Sequence, residues 1–175
     1  METALVTFVQ QLPVLVGVVM GALASFLATS AVERARWRRL RETRWDEKRV
    51  DAYAEFADVL QRHAMLSQRI VAARGLDPDA QPLSPEEGLG QLAEVEADRG
   101  AKWQKVLLLG DAKTVVFGQS WQVEVWRAEW FARGLLADPD EWKKTRVALT
   151  DCRFRFYESA RGDLGVVGSL PAAEA

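Results

Sequence analysis

Hydrophobic residues form one uninterrupted block at the start of the chain and helical patterns in the remainder. No charged residue lies between Glu2 and Glu33, so residues 3–32 make a run of thirty uncharged positions. A membrane-spanning helix needs roughly 20 mostly apolar residues. Pro13 lies near the N-terminal edge of the run, where its missing N–H costs least. The pattern therefore predicts a transmembrane anchor in residues 1–32.

A cleaved signal peptide is the alternative interpretation of this block. Signal peptides carry their positive charge before the apolar run. Here Glu2 precedes the run and a dense cluster of arginines follows it. The small residues around Ala28 and Ser30 resemble a cleavage site, but such residues are common in alanine-rich helices. A retained anchor is the better interpretation.

A basic neck, residues 33–49, follows the predicted span. It holds eight basic and four acidic side chains. We expect the following neck residues to contact lipid headgroups and fix the topology: Arg34, Arg36, Trp37, Arg38, Arg39 and Arg41. The positive-inside rule places such a segment in the cytoplasm. We therefore expect a single-pass protein of the cell membrane, with its N-terminus outside and its C-terminal domain in the cytoplasm.

Small residues recur at every fourth position of the span, at Gly17, Gly21, Ser25 and Thr29. Such a ridge lets two helix backbones approach closely. It predicts packing against a second membrane helix, from either another copy of this chain or another membrane protein. The alternative is that glycine is simply frequent in membrane helices.

After the neck, residues 50–165 carry the pattern of an all-α cytoplasmic domain of about four helices. Between positions 31 and 74 there is no glycine or proline, so we expect one helix to continue from the span into the cytoplasm. The spacing of its apolar and small residues alternates between three and four, as in the heptads of a coiled coil. These residues are Val50, Tyr53, Ala57, Leu60, Ala64, Ser67 and Val71.

Capping signals divide the rest of this domain. Ser84-Pro85 and Asp138-Pro139 pair a capping residue with proline at the first helical position, so they predict the starts of the second and fourth helices. Asp111 is the predicted cap of the third helix. We expect the four helices to end near Gly75, Leu109, Arg133 and Gly165, in that order. The short loops favour an antiparallel up-down bundle, and residues 166–175 lack periodicity and predict a flexible tail.

The third predicted helix is apolar on nearly all sides, which indicates that it is buried or has a partner. Trp126 and Trp130 lie four residues apart and share one face of this helix. Tryptophan is enriched at interface hot spots, so this pair is the candidate for a partner-binding face. Packing in the core is the alternative for both side chains.

The composition excludes most templates for catalytic and metal sites. The chain has one histidine, His63, one cysteine, Cys152, and no asparagine. A two-metal helical bundle needs two Glu-x-x-His pairs, whereas the residue three positions before His63 is Leu60. We therefore predict no metal and no cofactor, and interpret His63 as a packed or surface histidine. Cys152 lies on the predicted inner stripe of the fourth helix, as a small hydrophobe does.

The net charge and the sequence motifs indicate neither a nucleic-acid site nor a small-molecule substrate. The net charge of −2 and the pI of about 5.6 argue against nucleic-acid binding. The segment Gly88–Ala93 matches a dinucleotide fingerprint, which requires a preceding strand that is not predicted here. We interpret the match as chance. The remaining catalytic hypothesis uses Glu55, Glu94 or Glu124, two of which would have to converge in a pocket.

Five segments carry a resemblance to a known group of proteins: Gly21–Thr29, Glu33–Arg39, Arg44–Arg49, Tyr53–Phe56 and Phe156–Gly165. They resemble small single-pass membrane proteins of GC-rich actinobacteria. The resemblance covers most of the chain. Because that group has no established activity, it implies a membrane-anchored helical protein and no reaction.

Together these features predict a non-enzymatic, membrane-anchored helical interaction protein, an adaptor or scaffold. Its expected partners are the membrane and either a second copy or another membrane or cytoplasmic protein. The alternative is a transmembrane signalling or regulatory subunit in which the unbroken first helix relays a change across the membrane.

Overall fold

The computed structural model describes residue 26, residues 45–168 and residue 170. These described residues form four helices and no strand, as the sequence predicts. The helices are α1 (residues 45–73), α2 (Pro85–Leu109), α3 (Ala112–Ala132) and α4 (Pro139–Asp163). The chain divides into a unit of residues 1–45 and a unit of residues 46–175, and the second unit contains the helical bundle.

The predicted membrane anchor lies outside the described residues, apart from Phe26. The same holds for the predicted helix-packing residues, Gly17, Gly21, Ser25 and Thr29, and for the headgroup residues, Arg34, Arg36, Trp37, Arg38, Arg39 and Arg41. Among the residues that are described, no helix is both long and apolar enough to cross a bilayer. The span, the neck and the topology therefore stay predictions.

The predicted caps define the starts of α2 and α4. The Ser84 hydroxyl accepts the backbone N–H of Glu87 at 3.3 Å, and Pro85 is the first residue of α2. At α4, the Asp138 carboxylate accepts the N–H of Asp140 at 2.8 Å. Each bond satisfies an N–H that has no partner within the helix itself.

Two glycines stand just beyond the C-terminal ends of α1 and α3. Gly75 has a φ of 80° and Gly134 a φ of 75°. Residues with a β-carbon rarely adopt this left-handed conformation, so glycine is the usual residue after a helix end of this kind. Both predicted helix ends are therefore confirmed to within a few residues.

Side-chain contacts show that consecutive helices run antiparallel. Along α1, the partners of successive residues lie progressively earlier in α2 and in α4. The contacts with α2 are Arg49–Leu109, Glu55–Lys105 and Arg62–Asp98, and those with α4 are Tyr53–Asp163 and Gln61–Arg153. The α3–α4 contacts Thr114–Ser159 and Phe131–Trp142 have the same sense. The helical bundle is thus confirmed for the residues described.

The core consists of two apolar clusters between the helices. One is built around Tyr53, Phe56, Leu60, Val106, Trp121 and Phe156, and the other around Ile70, Val71, Leu92, Phe131 and Trp142. The predicted seam of α1 faces this core except at its first position, Val50, which is 48% exposed. Arg49 already reaches the last carbonyl of α2, that of Leu109, so Val50 lies at the open end of the bundle.

The loop between α1 and α2 is fixed by a buried carboxylate. Asp77 Oδ2 accepts the indole N–H of Trp142 at 3.2 Å and the side-chain amide of Gln68 at 3.0 Å. The Arg146 guanidinium donates to Asp77 Oδ1 at 3.2 Å. A buried carboxylate needs such partners to offset its desolvation. These bonds tie the loop to α1 and α4.

Candidate functional site

The single histidine forms the polar centre of the bundle. His63, on α1, is fully buried, with 0% of its surface exposed. Its Nε2 lies 2.9 Å from Oε2 of Glu129 on α3, and its Nδ1 lies 3.7 Å from Oε2 of Glu96 on α2. The sequence left a packed or a surface histidine open, and the packed one is confirmed.

Each of the two glutamates is also paired with an arginine. Arg133 Nε donates to Glu129 at 2.6 Å, and Arg99 Nε donates to Glu96 at 2.7 Å. A carboxylate held by a guanidinium is ionised and only accepts hydrogen bonds. His63 Nε2 is therefore the donor to Glu129. In the neutral imidazole the other nitrogen, Nδ1, then carries a lone pair.

Burial decides the charge state of this ring. Desolvation lowers the pKa of His63 by more than the adjacent Glu129 carboxylate raises it, so the imidazole is neutral at pH 7. The hydrogen bond from Arg99 lowers the pKa of Glu96. Within the described part of the chain, His63 Nδ1 has no hydrogen-bond partner. The cluster thus combines two carboxylates, two guanidiniums and one buried, unpartnered lone pair.

Three residues of this cluster bring atoms that can bind a metal close together. His63, Glu96 and Glu129 each offer one ligand atom, and these atoms lie within 4.8 Å of one another. One imidazole nitrogen with carboxylate oxygens is a donor set that zinc accepts. The missing second histidine excludes a two-metal site with two Glu-x-x-His pairs, but not a site with one histidine and carboxylates. In the structure each glutamate directly follows a buried residue, Val95 or Ala128, but no local sequence motif connects either glutamate to His63.

The exposed face of α3 carries a line of apolar side chains that we call the outer stripe. It consists of Val116, Val123 and Trp130, which are 58%, 49% and 51% exposed. The three are seven residues apart, so they lie along one side of the helix. Arg127, three residues before Trp130 and four after Val123, lies within the same stripe.

The two tryptophans of the predicted partner face differ in their surroundings. Trp130 belongs to the outer stripe, whereas Trp126 is half-buried beneath the guanidinium of Arg99, which lies 4.7 Å from the ring centroid. On the other side of α3, Trp121 and Phe131 are buried in the core. The all-round apolar character of α3 therefore has two sources, a buried face and an exposed one.

The chain matches no protein-family model, no curated protein and no solved structure. Inference about function therefore depends on the sequence and on the geometry described above. The resemblance to actinobacterial single-pass proteins stays an expectation.

Two further candidate groups, Glu55 and Cys152, lie in surroundings that do not favour a catalytic role. Lys105 donates a hydrogen bond to Glu55 at 2.7 Å and lowers the pKa of this carboxyl, whereas a general acid needs a raised one. Burial raises the pKa of the Cys152 thiol, so it is a poor nucleophile. Gly88 lies in α2, which begins at Pro85 after a loop. The dinucleotide fingerprint thus lacks the strand that it requires.

Proposed function

We propose that this protein is a membrane-anchored helical adaptor that binds a partner protein through the outer stripe of α3. The uncharged run of residues 3–32 and the basic neck support the anchor and the single-pass topology with a cytoplasmic bundle. The observation that carries the binding function is the outer stripe, Val116, Val123 and Trp130. The proposal includes no reaction and no cofactor for this function.

The outer stripe differs from an ordinary exposed apolar residue because its three apolar side chains lie in line on one helix face. Single exposed hydrophobic side chains are normal on soluble domains. Val147 of α4 is an example, since it is 71% exposed and has Lys143, Lys144 and Asp151 within one turn. The stripe instead aligns two valines with a tryptophan on one helix face. That spacing suits the apolar ridge of a partner helix, and tryptophan is a frequent anchor of such contacts.

The charges beside the stripe favour a different protein over a second copy. Parallel pairing of two α3 helices would bring Arg127 against Arg127 of the second copy. Antiparallel pairing centred on Val123 would bring Lys113 towards Arg133. Like charges brought together this way oppose association. Arg127 has only a long ion pair within the bundle, with Glu141 at 3.9 Å. We therefore propose a partner helix with apolar residues at heptad spacing and an acidic residue opposite Arg127.

The test compares two valine-to-glutamate variants of the full-length protein. Tagged Val123→Glu and Val147→Glu proteins are purified from native membranes in mild detergent, and copurifying proteins are quantified by mass spectrometry. We expect a stoichiometric partner that is retained by Val147→Glu and reduced at least tenfold, about 1.4 kcal/mol, by Val123→Glu. The charge reversal Arg127→Glu should also reduce its recovery.

Two results would contradict the proposal. One is equal recovery of all partners by the two valine variants, which would show that partner binding does not depend on the outer stripe. The other is recovery of this chain alone, as a dimer disrupted by Val123→Glu, which would make the stripe a self-association surface. Thermal melting of both variants serves as the control for folding, because both valines are exposed and neither substitution should unfold the bundle.

A further inference from the structure

We infer that His63 and Glu96 bind a divalent transition-metal cation of the Zn²⁺ type, with Glu129 orienting the imidazole. The two ligand atoms are His63 Nδ1 and Glu96 Oε2, an oxygen that already accepts the Nε–H of Arg99 at 2.7 Å and would offer its second lone pair to the cation. Nδ1 belongs to a fully buried ring and has no hydrogen-bond partner among the described residues. A buried polar atom without a partner is costly, and a cation between Nδ1 and Glu96 would satisfy it. The inference does not depend on the proposed adaptor function.

The separation of the two atoms fits one bound cation. Nδ1 and Oε2 are 3.7 Å apart, too far for a hydrogen bond between them. Zinc lies about 2.0–2.2 Å from histidine nitrogen and carboxylate oxygen. A cation about 2.1 Å from each atom would therefore subtend an angle of about 120° between them, close to that of a tetrahedral site.

Glu129 supplies the orienting contact that metal-binding histidines usually have. A ligating histidine almost always donates its second ring N–H to a carboxylate, a carbonyl or water. Here Nε2 donates to Glu129 at 2.9 Å, and Arg133 in turn holds Glu129. This chain of contacts fixes both the tautomer and the ring plane. In this orientation Nδ1 lies 3.7 Å from Oε2 of Glu96.

Access and charge set the expected strength of the site. The Glu96 side chain is 39% exposed, so the cation has a route from solvent and water can complete its coordination shell. Arg99 and Arg133 balance the charges of the two carboxylates, which weakens the Coulombic attraction for a cation. With two protein ligands, the site should bind more weakly than a closed structural zinc site with four.

The single histidine makes a direct test possible. The full-length protein is labelled with ¹⁵N-histidine and purified in mild detergent without a polyhistidine tag, so that His63 gives the only imidazole signals. Proton–nitrogen correlation spectra are recorded at neutral pH during titration with ZnCl₂. We expect the Nε2–H tautomer before addition, and a large shift of the Nδ1 resonance, with Nε2–H retained, as Zn²⁺ binds.

Glu96→Gln and Glu94→Gln form a matched pair of variants on α2. Glu94 is exposed, two residues before Glu96. We expect Glu96→Gln to weaken the Zn²⁺ response of Nδ1 roughly tenfold or more, and Glu94→Gln to leave it unchanged. The inference is overturned if millimolar Zn²⁺ does not shift the Nδ1 resonance of the unmodified protein, or if the starting tautomer is Nδ1–H. It is also overturned if Zn²⁺ shifts this resonance equally in the two variants.

Discussion

At the scale of single residues, burial of His63 links the stability of the bundle to pH. The pKa of His63 in the folded protein lies below its ordinary value of 6.5 because of desolvation. Below about pH 6.5 the unfolded chain therefore binds a proton more readily than the folded one. Folding stability should be retained above pH 6.5 and should fall as the pH decreases towards the folded-state pKa of His63.

Denaturant unfolding at about pH 7.5 and pH 5.5 checks this prediction on the two sides of the ordinary histidine pKa. The unmodified protein should lose more stability between these conditions than His63→Gln, which retains the carboxylates but has no titrating ring. Equal losses would show that His63 titrates alike in the folded and unfolded states.

Glu129 should be the most sensitive member of the cluster. Its carboxylate accepts hydrogen bonds from His63 and Arg133 and is largely buried. Glu129→Ala leaves the imidazole N–H without its acceptor, and an unsatisfied buried group costs about 1–3 kcal/mol. We expect a loss of about 2 kcal/mol by denaturant unfolding. Glu124→Ala, on the same helix, is the control and should change stability by less than about 0.5 kcal/mol.

The sequence predicted part of this cluster. A single histidine beside the seam of a helix indicated either a packed or a surface side chain, and the structure shows the packed one. Its partners could not be predicted, because Glu96 and Glu129 lie on two other helices and no local motif connects them to His63. The contact depends on the rotation and register of three helices at once. Local periodicity gives the inward face of each helix but not its register against the others.

At the scale of helices, two glycines of α2 should respond in opposite ways to the same substitution. A β-carbon on Gly88 would lie 2.5 Å from Cγ1 of Ile70, which is fully buried, whereas nothing lies within 4 Å of a β-carbon on Gly90. Gly88→Ala should therefore destabilise the protein by about 1–3 kcal/mol through overpacking. Gly90→Ala should stabilise it by about 0.5–1 kcal/mol, because alanine favours a helix.

Thermal or denaturant unfolding of the two alanine variants measures this difference directly. Each variant is the control for the other, since both positions lie near the start of the same helix. A stabilising effect at Gly88 would show that α2 packs less closely on Ile70 than the structure indicates. Of the two glycines in the apparent dinucleotide fingerprint, Gly88 is required by close packing and Gly90 is not.

Helix boundaries were predictable because their signals are local. Ser84 and Asp138 cap the helices that follow them, and Gly75 and Gly134 adopt the left-handed conformation after the helices that precede them. The inner and outer faces of α3 were not predictable, because both are apolar. Only the packing against Phe156 and Tyr157 of α4 shows that Trp121 points inward and that Trp130 does not.

At the scale of the whole molecule, charge is distributed unevenly along the chain. The neck of residues 33–49 has a net charge of +4, from eight basic and four acidic residues. Residues 50–175 have a net charge of −5, from fifteen basic and twenty acidic residues. Anionic headgroups attract the first and repel the second. Under the proposed topology we therefore expect the neck, and not the bundle, to bind the headgroups.

That topology predicts which ends of the chain an impermeant thiol reagent reaches. Cys152 is the only cysteine, so Cys152→Ser gives a background free of thiols. In that background, Thr3→Cys should be labelled in intact cells, because the proposed topology puts the N-terminus outside. Ser169→Cys should be labelled only after the membrane is permeabilised, because the positive-inside rule places the chain after the neck in the cytoplasm.

The two positions control for each other, because they test opposite sides of the membrane with one reagent. Labelling of Ser169→Cys in intact cells, with protection of Thr3→Cys, would reverse the orientation and remove the access of the outer stripe to cytoplasmic partners. Release of the protein into the soluble fraction would show that residues 3–32 are no anchor. The comparison of Val123→Glu with Val147→Glu would still test partner binding through the outer stripe, because it does not depend on where in the cell the bundle lies. The protein would then be a partner-binding protein without a membrane anchor.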